Sequence, residues 1–211
     1  MSGDLFPAGV PASKRLFDLV LGIPVLIICL PLMGLIAILI LLTDGRPVFF
    51  RQPRPGMHGE IFLLVKFRTM RESVNAAGTP LPDEQRMTRL GKFLRASSLD
   101  ELPELWQVIC GKMSLVGPRP LLVDYLERYT PEQMRRHAVL PGITGWAQVN
   151  GRNALSWEEK FRLDVWYVDH WSLWLDVRIL VITFWKTLKR EGINQPGEAT
   201  AEEFRGCMGQ S

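Results

Sequence analysis

Three groups of side chains in this sequence have the types and spacing to do chemistry. The first is the run Ser97-Ser98-Leu99-Asp100-Glu101-Leu102-Pro103. Pro103 is tolerated only in the first turn of a helix, so Asp100 and Glu101 are expected at a helix start. A helix start offers free N–H groups and partial positive charge that can hold a phosphate beside the acids. A carboxylate there could attack phosphorus, as in enzymes with aspartyl-phosphate intermediates. The same spacing serves a structural end equally well: Asp100 as N-cap, or Ser98 and Glu101 as a capping box.

The second group is cationic: Lys66, Arg68, Arg95, Arg119 and Arg152. A diphosphate needs several positive groups, and Arg can bind it through two parallel hydrogen bonds. Each alone could be a solvated surface charge. Arg119 differs because Pro118 and Pro120 restrain its backbone. The third group lies in 141–153, dense in Gly and amides. Gln148, Asn150 and Asn153 stand near Trp146, a set suited to recognising a sugar or base, or to satisfying the loop's own backbone.

The elements that must position these groups begin with an uncharged apolar run at 19–42. If helical it is about 36 Å long, enough to reach across a hydrocarbon core. It has no cleavage site after it, which argues against a signal peptide. Pro24 and Pro31 interrupt it, and basic residues flank both ends: Lys14 and Arg15 before, Arg46, Arg51 and Arg54 after. A straight spanning helix would leave one basic cluster outside, against the positive-inside tendency. A helix broken at Pro31 that enters and leaves by one face is preferred over a kinked spanning helix.

Beyond it, 46–59 reads as a loop at the membrane surface, 61–67 as a strand, 74–82 as a loop, and 83–94 and 102–109 as helices. The stretch 117–120 must be irregular, 121–129 is expected to be helical, and 141–153 to be loop or short strand. Thr130 and Ser156 have capping spacing with Gln133 and Glu159. A helix at 172–190, with Asp176 among its charged ends, carries Trp174 and Trp185 and follows Trp166, Tyr167 and Trp171. Such rings favour a bilayer interface, although a core helix would show them too.

The fold class that follows is α+β and mostly helical. It divides into a tail at 1–13, a re-entrant membrane helix-break-helix at 14–45, a compact cytoplasmic catalytic domain at 46–190 with interfacial amphipathic helices and little strand, and a tail at 191–211. The net charge of +3 is too small to point to nucleic acid, and three scattered cysteines argue against a disulfide framework or a zinc site. The sequence leaves homo-oligomerisation open.

These motifs, in this order, resemble the bacterial sugar transferase family, the small monotopic phosphoglycosyl transferases. The carriers are Lys14-Arg15-Leu-Phe-Asp18, Arg54-Pro-Gly56, Lys66-Phe-Arg-Thr-Met70, Ser98-Leu-Asp-Glu-Leu-Pro103, Met113-Ser-Leu-Val-Gly-Pro-Arg-Pro120, and the run from Pro141 to Arg152. The likeness covers about 13–190. It implies a bacterial inner-membrane enzyme with its catalytic domain on the cytoplasmic face. It implies that Asp100 attacks the β-phosphorus of a UDP-sugar, expels UMP, and passes the sugar phosphate to polyprenyl phosphate, usually undecaprenyl phosphate. It further implies that Glu101 is the second acid of a dyad, that Mg²⁺ is required and held by Asp100 and Glu101, that Arg119 binds phosphate, and that the membrane helix is broken at Pro31. Two positions depart from the common pattern: Leu30 where many members have Ser, and Lys112 where many have an acid. A non-catalytic membrane-anchored binding protein is the rival reading. A glycosidase fits poorly, because adjacent helical acids point about 100° apart rather than facing each other across a sugar.

Overall fold

The computed structural model describes residues 5–71, 81–151, 155–189, 204 and 206. The first element, α1 (Ala12–Thr43), contains both Pro24 and Pro31. The two-helix hairpin expected around Pro31 is therefore present as one helix. Its most apolar 18-residue window has a mean hydropathy of 3.2, and only 11% of that window is buried. This is not a core helix. One face, through Lys14, Asp18, Gly22, Leu26, Ile36 and Ile40, packs on the domain at helical spacing, while Ile28, Leu35, Leu39 and Leu42 lie bare.

Polar bonds tie both ends of α1 to the same domain. At its start, Lys14 donates to Val116 O at 3.0 Å and Asp176 Oδ2 at 2.8 Å, and Arg15 donates to Val108 O and Ile109 O, each at 2.6 Å. Asp18 Oδ1 accepts from Ser114 Oγ at 3.0 Å and from the Leu115 amide at 3.1 Å. At its end, Arg68 donates to the carbonyls of Asp44 and Gly45, each at 2.7 Å, and of Arg46 at 2.9 Å. Those carbonyls lie where the chain leaves the helix and has no intrahelical donors to offer them.

The stretch 46–59, read as a loop, contains a strand. β1 (Phe49–Pro55) pairs antiparallel with β2 (Ile61–Phe67), which lies where the sequence places it. Pro53 and Pro55 had argued for a loop, but each strand of a two-stranded ribbon is an edge, where a missing N–H is tolerated. The helix expected at 83–94 is two: α2 (Asp83–Arg86) and α3 (Arg89–Ala96). Thr88 divides them, accepting from the Gly91 amide at 2.8 Å as the N-cap of α3.

The 3-10 turn Leu99–Glu101 leads into α4 (Glu104–Ile109). Then β3 (Ser114–Val116) pairs in parallel with β4 (Gly142–Thr144). Between them come a 3-10 segment (Val123–Arg128), α5 (Pro131–Met134) with the capping box of Thr130 and Gln133, and a second 3-10 segment (Arg135–Ala138). The amide-rich stretch supplies β4 and then α6 (Trp146–Asn150), so it is more regular than a loop. Helix α7 (Trp157–Asp169) starts at the Ser156–Glu159 box, and α8 (Leu173–Lys189) closes the domain. On α8, Leu175, Asp176 and Ile179 are buried, whereas Trp174, Val181, Phe184 and Trp185 are exposed. The helix therefore serves the core with one face and presents a bare apolar face with the other. Asp176, read as a charge at the helix end, is fully buried.

Candidate active site

The turn Leu99–Glu101 is aimed by its neighbours on both sides. Ser98 adopts left-handed backbone angles (φ 56°, ψ 18°), which swings the chain out of α3. Non-glycine residues seldom adopt that conformation without a reason in the surrounding structure. Leu99 and Leu102 pack into the apolar cluster formed by Ile36 and Ile40 of α1 with Phe67 and Leu94. The turn that carries Asp100 and Glu101 is thus packed against the long apolar helix through the leucines on either side.

The capping reading fails here. Neither Ser98 nor Pro103 caps its helix through a side chain. The turn has three residues and α4 only six, so the helix end expected to hold phosphate is slight, and side-chain cations carry that role instead.

Two acids a single bond apart in sequence have opposite surroundings. Glu101 Oε1 receives Lys66 Nζ at 2.6 Å and an Arg119 N–H at 2.5 Å. Burial opposes its charge, but Arg119 and Lys66 outweigh that and hold its carboxyl far below the ordinary range. Glu101 in turn pushes the Arg119 guanidinium up. Asp100 is buried, yet its carboxylate accepts no hydrogen bond from the described residues. Burial first, then the charge of Glu101, push its carboxyl above the ordinary range, against the pull of Lys66, Arg119 and Arg95. Its oxygens are not sealed from solvent. It is the group in this cluster left open to a ligand.

Lys66 also contacts Glu104 Oε1 at 3.0 Å. Glu104 is almost wholly buried, and burial raises its carboxyl. The sequence reading overlooked it. Its signal was spacing, since Glu104 follows Asp100 by four residues and Glu101 by three, the separations that share a helix face. Arg54, read as a flanking charge and as part of a family motif but not as a site residue, is half-buried, and burial followed by the repulsion of Arg119 lowers its guanidinium.

Arg119 stands on the irregular segment after β3. Gly117 makes that placement feasible, because a Cβ there would lie 2.3 Å from the Leu140 carbonyl oxygen. Arg136 donates to the Arg119 carbonyl at 2.7 Å and to Asp164 Oδ2 at 2.8 Å. Arg119 uses one bond on Glu101 and is half-exposed, so other N–H groups of its five remain for a ligand.

The remaining expected site residues divide. Lys66, Arg95 and Arg119 join the cluster, with Arg95 also donating to Thr69 Oγ1 at 3.0 Å. Arg68 does not join it; its guanidinium is committed to the three carbonyls after α1. Gln148 donates to Ile143 O at 2.9 Å and Asn150 to Trp146 O at 2.8 Å, so both amides brace their own segment. The Gln148 side-chain oxygen is buried without a partner. Arg152 and Asn153 lie outside the described residues.

For a metal, the described residues hold no group of three or more His, Cys, Asp or Glu side chains able to enclose one. Asp100 and the second oxygen of Glu101, which accepts no bond here, are nevertheless hard oxygen donors. Mg²⁺ commonly takes one or two carboxylates and completes its shell with substrate phosphates and water. The donor set fits such an ion when a diphosphate is present.

An open carboxylate thus lies within the fields of Lys66, Arg95 and Arg119, on a turn that packs through Leu99 and Leu102 against the long apolar helix. Residues 10–190 match the bacterial sugar transferase family. A protein of Bacillus subtilis (strain 168) named as the uncharacterized sugar transferase EpsL is 56% identical over 194 residues, covering 92% of this chain and 96% of that one. The UDP-glucose:undecaprenyl-phosphate glucose-1-phosphate transferase of Xanthomonas campestris pv. campestris is 43% identical over 182 residues, covering 81% of this chain and 38% of that protein. The undecaprenyl-phosphate galactose phosphotransferase of Salmonella typhimurium is 41% identical over 196 residues, covering 85% and 41%. The chain thus spans nearly all of the first relative and about two fifths of the other two. It belongs to the bacterial sugar transferase family and is an enzyme of the transferase class.

Proposed function

We propose that this enzyme moves a sugar-1-phosphate from a UDP-sugar to a polyprenyl phosphate such as undecaprenyl phosphate, through a covalent intermediate on Asp100. The observation that carries the reading is the buried Asp100 carboxylate, which accepts no hydrogen bond from the described residues while the charges of Lys66, Arg119 and Arg95 act on it. In the first step an Asp100 oxygen bonds to the β-phosphorus. The bond from that phosphorus to the bridging oxygen breaks, and UMP departs with the electron pair. In the second step a phosphate oxygen of the lipid bonds to the same phosphorus, and the Asp100 oxygen leaves as carboxylate.

Each neighbour has a share in this. Arg119 binds and orients the diphosphate through the N–H groups not given to Glu101. Lys66 and Arg95 balance charge as negative oxygens gather, an effect that grows in a site sheltered from water. Glu101, held ionised by Lys66 and Arg119, fixes both cations. Mg²⁺, held by Asp100 and Glu101, would supply neutralisation of the diphosphate.

The helix α1 supports a membrane setting for the same reaction. Its start and end both bond to one domain, which favours entry and exit by a single face, the cytoplasmic face of the bacterial inner membrane. Bending at Pro31, where a backbone bond is lost, is the physical means. The apolar faces of α1 and α8 would then meet lipid, and a lipid phosphate at the bilayer surface could approach Asp100. The reaction would begin membrane-bound glycoconjugate assembly.

The test is incubation with a UDP-sugar labelled in the sugar, without lipid acceptor. Wild type should release UMP and retain label on protein, and chelating divalent ions should stop both. Equal labelling of Asp100→Asn, or UMP release only when lipid is present, would rule out the covalent path. The membrane setting is tested by fractionation: the chain should need detergent, not salt, for its extraction.

A further inference from the structure

The family match ends at residue 190, yet Phe204, fourteen residues beyond it, is among the buried residues of the molecule. Its ring lies 4.9 Å from Phe161 and 5.5 Å from Tyr125, both edge-on, with Trp157 at 5.7 Å and Tyr129 at 5.9 Å. Its backbone is held as well. The Phe204 amide donates to Tyr125 Oη at 3.1 Å, and its carbonyl accepts from Arg128 at 2.5 Å. Aromatic packing of this kind contributes beyond the area it buries. Phe204 is thus the fifth wall of an aromatic box, the other four coming from Tyr125, Tyr129, Trp157 and Phe161.

Two routes lead from that box to Arg119. Arg136 lies over the rings of Tyr129 at 5.9 Å and Phe161 at 5.8 Å, two of the four box residues that touch Phe204. From there Arg136 reaches the Arg119 carbonyl at 2.7 Å. Leu121 and Leu122, directly after Arg119-Pro120, pack into the same cluster as Phe204.

We propose that Phe204 is a latch and a positioning residue: by closing the aromatic box it fixes Arg136 and so sets Arg119 for the donor diphosphate. Phe204 touches no reacting atom and acts through Arg119. The effect on donor binding rests on the reaction proposed above; the effect on the Arg119 segment does not.

Two measurements on the full chain test it. The first is hydrogen exchange at residues 117–122. Phe204→Ala should speed exchange there by tenfold or more, with residues 61–67 of β2 unchanged. The second is the KM for UDP-sugar, read from UMP release in a double-mutant cycle. Phe204→Ala should raise KM about tenfold in the wild-type background, with a smaller change in kcat, and should change nothing further once Arg119 is alanine. A wild type that releases no UMP would sink the proposed reaction while the exchange result still judged the latch. Unchanged exchange at 117–122, or the same KM loss in both backgrounds, would overturn the latch. If Phe204→Ala fails to fold, Phe204→Leu keeps most of the ring's volume without its edge and face contacts, and the same two readouts apply to it.

Discussion

Asp100 and Asp176 are both buried aspartates beside a lysine, and they were built for different ends. Asp176 Oδ1 accepts from Tyr167 Oη at 2.7 Å, and its Oδ2 accepts from Lys14 Nζ at 2.8 Å and Trp171 Nε1 at 3.1 Å. Those bonds join α8, α7 and the start of α1. Asp100 accepts none from the described residues. A closed set of donors turns a buried charge into a fastener, whereas an open one keeps it ready for something absent from the chain. The contrast separates architecture from chemistry better than burial does, since both side chains are buried.

The comparison is broken most sharply by removing one oxygen from each. Asp100→Asn should lower the rate of UMP release by at least about 10³-fold, since the nucleophile itself is lost. Its melting temperature should hold or rise, because a charge that burial and Glu101 disfavour is exchanged for a neutral amide. Asp176→Asn should do the reverse, leaving Lys14 buried beside a weaker partner. The expected loss is about 3 kcal/mol of stability, read by denaturant unfolding in detergent. Loss of stability in Asp100→Asn, or none in Asp176→Asn, would undo the distinction.

A second pair of arginines sharpens it. Arg119→Lys should raise the KM for the donor roughly tenfold, because a point charge replaces a planar fork. Arg68→Lys should leave that KM alone and loosen the end of α1, seen as faster exchange or proteolysis near residue 44.

The smallest effect is in pH. With the Asp100 carboxyl raised by burial and by Glu101, the acid limb of kcat/KM should fall at a pH above that of an ordinary aspartate. The sign for stability is opposite at the two acids. A raised folded-state value means that the contribution of Asp100 is present in acid, below 3.8, and is lost as pH rises through the folded value. Glu101, lowered by Arg119 and Lys66, contributes above its ordinary value of 4.5 and loses that as pH falls. Unfolding curves of Asp100→Asn and Glu101→Gln across pH should therefore diverge from wild type in opposite directions.

Much of the frame was legible along the chain. β2, the capping boxes of α5 and α7, and the apolar run all depend on neighbours within a few residues, and there local patterns speak directly. Thr88 escaped notice because an N-cap inside a periodic apolar pattern reads as one more polar residue. β1 escaped because two prolines signal a loop unless the strand is known to be an edge. Lys14 was read as a flank of a membrane segment and Asp18 only as part of a family motif, yet both are buried fasteners whose partners lie some 100 residues away. Glu104 was passed over because a lone acid at the start of a helix usually faces water.

What the order of residues determined by itself is the inventory and its neighbourhood: an apolar helix, an acid pair just before Pro103, and an arginine fenced by prolines. Short-range sterics and helical periodicity suffice for that. Which acid would be tied and which left open was decided only when Lys66 from β2 and Arg119 from beyond β3 closed on Glu101 and not on Asp100. Charges so distant in sequence meet only through tertiary packing, and burial then makes each missing or present hydrogen bond count.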